Sequence, residues 1–365
     1  MQQPLDKAIL LPKEIIEVNH SKIDIRKLSA EEIGQYLVKA GEKAFRGKQI
    51  FEWLWNKSAW DFDQMSNISL ATREYLKSTF CINGAKVHSK QVSADRTIKS
   101  TFQMHDGNIV EGVLIPTDTR MTACVSSQVG CSLSCRFCAT GYMKRMRNLE
   151  AAEIYDQVVH IRNQAQQHYN QPLTNIVYMG MGEPLLNYAN VMKSIEMITS
   201  EKGLGMSPKR ITVSTAGIAK MIKKLADDAV KFNLALSLHA PTDDKREKIM
   251  PINETNNIEV LTEALQYFYQ KTKNSITFEY IVFNDFNDSL QDAENLWKLT
   301  KKVPAKVNII EYNPIREADF INTTQDKLQQ FSDYLERKGV TVNVRRSRGK
   351  DIDAACGQLA NKSLE

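Results

Sequence analysis

Long apolar runs are missing from this chain, and none approaches the roughly 18 residues that a membrane span needs. The first twenty residues, "MQQPLDKAILLPKEIIEVNH", carry acidic side chains and no clean apolar stretch, so they do not read as a signal peptide. The expectation is a cytoplasmic protein with no membrane association and with reduced thiols. Cysteine is scarce, six in 365 residues. A disulfide framework is therefore not expected, and the cysteines are read as ligands or catalysts. Tryptophan is rarer still, at four. Neither sign of charge dominates: 48 Lys and Arg against 43 Asp and Glu give a net charge of +5, which permits a polyanionic partner without requiring one. No internal repeat and no low-complexity segment is present. What is there is ordinary globular composition, 42% hydrophobic and 25% charged, enough for one large core or a core with a small accessory domain.

Residues 1–85 read as a helical accessory domain. "SAEEIGQYLVKAGEKAF" opens with Ser29 and Glu32, the two ends of a capping box, and Ser69 stands as an N-cap ahead of "SLATREYLKSTF". Residues 86–120 read as a β-hairpin linker, with "IKSTFQM" and "IVEGVLIP" joined across Asp106-Gly107. Over 121–345 the apolar runs "TACVSS", "NIVYMG", "RITVSTAG", "FNLALSLHA", "ITFEYIVF" and "KVNIIEYNP" alternate with helical patterns. Six strands with intervening helices predict an α/β fold of parallel βαβ units, an open sheet or a partial barrel. A last helix and the strand "VTVNVRR" close that region, and 346–365 is a short tail holding Cys356.

Three of the six cysteines fall within eight residues. Cys131, Cys135 and Cys138 in "GCSLSCRFCATG" have the spacing CxxxCxxC and follow the first strand of the alternating region. Active sites of α/β barrels collect at the C-terminal ends of strands, so the loop is placed for chemistry. Three thiolates can bind three irons of a [4Fe–4S] cube and leave the fourth open. A zinc site or buried free thiols is the alternative, but zinc asks for a fourth Cys or His and none follows within the loop.

These residues resemble a family. The spacing of the triplet, Phe137 just before its last cysteine, and "MGMGEPLLN" after the second strand are similar to the marks of radical S-adenosylmethionine (SAM) enzymes. The resemblance implies a partial (β/α)6 TIM-like barrel with a [4Fe–4S] cluster on Cys131, Cys135 and Cys138. It implies that SAM chelates the open iron and that one electron cleaves it to a 5′-deoxyadenosyl radical. Gly182 and Glu183 would hold the amino group of SAM. Ser214, the group Ser237, Leu238 and His239, and Asn313 end the third, fourth and sixth strands, where a barrel presents ligand contacts. Each of them alone reads equally well as a strand-end residue bonding its own loop.

Two further motifs, "CVSSQVGC" containing Cys124 and "DIDAACGQL" containing Cys356, resemble one branch of that superfamily from about Leu28 to Leu359. That branch is the RlmN family, dual-specificity 23S rRNA and tRNA adenine-C2 methyltransferases. Carbon 2 of adenine is electron-poor and will not attack the methyl of SAM directly. The resemblance implies that Cys356 carries the methyl first and that a second SAM per turnover activates it. It implies further that Glu111 accepts the carbon-2 proton, and that Cys124 releases the product through a transient disulfide with Cys356. Cys81 has no role in this scheme and reads as structural. The implied partners are rRNA, tRNA and a reductant such as flavodoxin, with the enzyme acting as a monomer. Basic candidates for phosphate contact are Arg46, Lys48, the run Met143 to Arg147 and the run Arg345 to Lys350. The nearest alternative is a Cfr-type adenine-C8 methyltransferase; Pro184 after the Gly-Glu pair favours carbon 2. A non-catalytic iron–sulfur electron-transfer protein would be expected to carry four cluster cysteines.

Overall fold

The computed structural model describes residues 22–361, and the reading of the N-terminal leader lies outside them. Seven parallel strands form the heart of the fold: Met121–Cys124, Asn175–Tyr178, Ile211–Thr215, Asn233–Ser237, Ile276–Val282, Ala305–Glu311 and Val342–Arg345. They lie side by side in chain order, each paired in parallel with the next. Helices cross over between each successive pair, because a parallel connection needs a crossover long enough to return to the same end. Both sheet faces are covered, so strands such as Ile276–Val282 are buried nearly throughout. The result is the partial barrel expected.

The hairpin read from the sequence is present with one strand more. Lys86–Val92 pairs antiparallel with Ile98–Gln103, which pairs with Ile109–Pro116, which pairs with Met121–Cys124. The extension is therefore a three-stranded meander continuous with the barrel sheet, ten strands in all. Its outer strand "KVHSKQV" escaped the pattern because it is an edge, with a register irregularity after Val87 and Ser89 as its one buried residue.

In the N-terminal region the caps fall where the sequence puts them. Ser29 Oγ accepts from the Glu32 amide and Glu32 accepts from the Ser29 amide, opening the helix Ala30–Lys39. Ser69 caps Leu70–Thr79. Ala30–Lys39 packs against Arg46–Trp55 with backbones nearly touching: a Cβ on Gly47 would lie 2.3 Å from the Ala30 carbonyl oxygen. This region is anchored to the long barrel helix Ala151–Tyr169. The buried Arg26 guanidinium donates twice to Asp156, at 2.8 and 2.9 Å, and once to the Asn83 carbonyl. Trp55 packs edge-on to Tyr155 at 5.1 Å. Removing one partner of such a buried pair costs about 3–5 kcal/mol. No helix among the described residues is long and apolar enough to cross a membrane.

Candidate active site

At the C-terminal ends of the parallel strands a cavity of about 230 Å³ opens. Five of the six cysteines line it: Cys124, Cys131, Cys135, Cys138 and Cys356. Cys124 ends the first strand, and the backbone then crosses to the loop after the second strand and is stitched to it. The Val125 amide donates to the Val177 carbonyl, the Ser127 amide to Met181, and the Glu183 amide to the Gln128 side chain at 2.8 Å. The loops lie so close that Gly182 is required. Its φ is +93°, and a Cβ there would sit 2.4 Å from the Gln128 Cβ. Gln128 was not among the residues expected from sequence, although it lies within the quoted motif "CVSSQVGC".

Glu183 is buried and lines the cavity. One carboxylate oxygen accepts from the Leu185 amide at 3.0 Å and the other from the Ala216 amide at 2.8 Å, which joins the second and third strand ends. Burial outweighs these bonds and pushes its carboxyl up to about 6. Ser214 and Ser237 face the cavity with their hydroxyls 3.4 Å apart. His239 lines it too, in the left-handed region at φ +54°. Its Nδ1 accepts from the Ile281 amide, and its ring meets Phe137 edge-on at 4.6 Å. Burial, helped by the Arg246 charge, lowers its pKa to about 3, so the imidazole is neutral. Arg246, fully buried, donates to the carbonyls of Ala216, Ser237 and Leu238 and to Asn253. It ties two strand-end loops from below, and nothing in "DDKREKI" marks it for that task.

Three of the expected site residues stand elsewhere. Leu238 is buried with its backbone paired to Glu279 and Arg246, and it does not line the cavity. Asn313 grips the tail, donating from Nδ2 to the Cys356 carbonyl at 3.1 Å. Glu111 lies buried behind the cavity wall, bonded to the last described residues of the tail. The basic runs are divided in the same way. Arg147 is spent inside the protein on Glu153 and Asp106, Arg46 on Glu42, and Lys350 on Glu311. Arg345 lies 3.5 Å from the buried Glu279, a cavity residue the sequence reading did not single out. Lys48, Lys144, Arg145 and Arg346 are exposed, and Arg346 lies on the cavity rim. Cys81 is half-buried with its thiol against the Lys22 carbonyl.

The thiols suit an iron–sulfur cluster. Burial raises all three: Cys131 to about 11, Cys135 well above its usual range, and Cys138 upward. Metal binding would release these protons, since only the thiolate ligates. Backbone amides of Thr140 and Gly141 point at the Cys138 sulfur, a pattern that supports a ligating thiolate. Among the described residues no three metal-binding side chains stand as ligands of a single ion. Cys131, Cys135 and Cys138 line one hollow, and a cluster offers each thiolate a separate iron.

Comparison with known proteins agrees with this geometry. Residues 23–82 match the family described as ribosomal RNA large subunit methyltransferase N-terminal domain, and residues 125–296 match the radical SAM superfamily. A probable dual-specificity RNA methyltransferase RlmN of Cytophaga hutchinsonii is 63% identical over 93% of this chain and 93% of its own. A dual-specificity RNA methyltransferase RlmN of Geotalea uraniireducens is 42% identical over 93% of this chain and 97% of its own. The crystal structure of a radical SAM methyltransferase from Sphaerobacter thermophilus superposes with a TM-score of 0.87 at 37% identity, covering 92% of this chain and 99% of that one.

Proposed function

The chain belongs to the RlmN family of dual-specificity RNA methyltransferases, and from that premise we propose that it methylates carbon 2 of adenosine by way of a methylated cysteine. It is a radical SAM RNA methyltransferase that uses a [4Fe–4S] cluster and SAM. Its substrates on this reading are an adenosine in the peptidyl-transferase loop of 23S rRNA and one beside the tRNA anticodon. It works in the cytoplasm as a monomer, with flavodoxin or a similar protein as reductant. Target bases in loops are cheap to unstack into a barrel interior.

The observation that carries the reading is the meeting of Cys124 and Cys356 in the cavity of the triplet. Cys124 is buried, whereas Cys356 is exposed while lining the same cavity; burial first and the neighbouring Cys356 second push the Cys124 thiol up to about 12. Neither is in a disulfide. Cys131, Cys135 and Cys138 would hold the cluster, and Gly182, Glu183, Ser214, Ser237 and His239 would hold SAM. When bound, these groups supply the electron and the radical for hydrogen abstraction. Cys356 takes up a methyl group by displacement, losing its thiol proton. Its sulfur then carries the activated carbon to C2 of the adenine; Glu111 takes the C2 proton, and the one electron this leaves over would return to the bound cluster. Cys124 attacks the sulfur of Cys356: an S–S bond forms, the S–C bond breaks, and its electron pair stays with the carbon, which gains a proton to become methyl. Cellular thiols reduce the disulfide.

Pro184 directly after Glu183 favours carbon 2 over carbon 8. Reconstituted enzyme, SAM and rRNA fragment, followed by nucleoside mass spectrometry, tests this. 2-Methyladenosine is expected; 8-methyladenosine would move the enzyme to the other class.

A further inference from the structure

The described part of the tail that carries Cys356 is fastened at several points. Asp95 accepts from the Gly349 amide, and Asp351 accepts from Ser93 and the Ala94 amide. Asn313 and Gln358 tie the Cys356 and Pro314 carbonyls. The Ala139 amide donates to the Gly357 carbonyl at 2.7 Å and the Thr140 hydroxyl to that of Leu359 at 2.5 Å. At the last described residues one carboxylate oxygen, Oε2 of Glu111, accepts the amides of both Ala360, at 2.9 Å, and Asn361, at 3.2 Å. The other, Oε1, lies 3.4 Å from the Lys99 ammonium, and both side chains are buried.

Charge-assisted bonds from two successive amides are a strong hold on a chain segment. The Lys99 ammonium stands beside the carboxylate, both shielded from solvent, and the Asn361 side chain adds a bond to the Ile109 carbonyl. In this arrangement Glu111 does not line the cavity: Oε2 is taken by the tail amides, and Oε1, beside Lys99, accepts no hydrogen bond. We propose that Glu111 is a positioning residue for the tail, a clasp that seats Cys356 beside the cluster loop and that must let go of Ala360 and Asn361 before its carboxylate can serve the RNA base. This rests on the reading of Cys356 as methyl carrier given above. The order of events follows: tail closed for loading of Cys356, tail end released when the base arrives.

Hydrogen exchange on the reconstituted full-length protein without RNA tests the clasp, with Glu111→Ala, Glu111→Gln and Ala360→Pro compared to the parent. Proline lacks the donor amide and leaves Glu111 untouched. Loss of one charge-assisted bond should raise exchange over residues 354–359 by about tenfold or more. Iodoacetamide labelling of Cys356 should quicken, and its methylation by SAM should slow at unchanged SAM affinity. Protection of Ile98–Gln103 and Ile109–Pro116 in Ala360→Pro checks that the meander is intact. A tail as protected as the parent's in both Glu111→Ala and Ala360→Pro overturns the clasp, even if Glu111→Ala stops RNA methylation. A loosened tail with RNA methylation retained in Glu111→Gln supports the clasp and removes Glu111 as the base.

Discussion

The side-chain amide of Asn313 holds the backbone carbonyl of Cys356 at 3.1 Å, so the end of the sixth barrel strand and the C-terminal tail are joined at the carrier cysteine itself. Asn313→Ala should slow methylation of Cys356 severalfold, in line with the roughly 1 kcal/mol net value of one hydrogen bond. Time-resolved mass spectrometry of the Cys356 peptide reads the rate. An unchanged rate with weakened SAM binding would make Asn313 a cofactor contact instead.

Cys131→Ala, Cys135→Ala and Cys138→Ala should each lose the iron–sulfur absorbance after anaerobic reconstitution, together with all methyl transfer. Each thiol is assigned a separate iron, so no neighbour can substitute. A variant retaining full iron and activity would undo the assignment of that cysteine.

Cys124→Ala keeps the triplet, the strand ends and Cys356, so every step up to attachment of the RNA should proceed. Without the second thiol, release fails, and RNA should accumulate covalently on the protein. The adduct should survive denaturation and lose its nucleotide mass to nuclease. Cys124→Ala with Cys356→Ala should form none. Normal turnover in the single variant would return Cys124 to the role of a buried strand residue.

Glu183 titrates at about 6 because burial disfavours its charge. A folded-state value above the ordinary one means that its contribution to stability is fully present below about 4.5 and is lost as pH rises through about 6. An ammonium group favours the ionised form, so SAM binding should strengthen as pH rises from 5 to 7, and each unit below about 6 should weaken it up to about tenfold. Calorimetric titration of SAM across that range measures it. An affinity flat from pH 5 to 7 would show that the Glu183 carboxylate does not meet the amino group.

The local signals were legible because they are local. The spacing of Cys131, Cys135 and Cys138 is a property of one loop, and "MGMGEPLLN" sits directly after its strand. The Ser29 and Ser69 caps act within three residues of themselves, and the parallel strands announce themselves by unbroken apolar runs that both sheet faces require. What only the tertiary structure decided depends on distant partners. Cys124 and Cys356 share a cavity because the first strand lies at one side of a seven-strand array and the tail folds back from the other. Arg147 is consumed by Glu153 and Asp106, while Arg346 stays free at the rim, a division that charge runs cannot reveal. Glu111 faces the tail amides and Lys99 instead of the cavity because antiparallel pairing places it opposite Thr101 within a buried sheet. A side chain's partner is set by which strands become neighbours, and that is fixed by packing over the whole barrel.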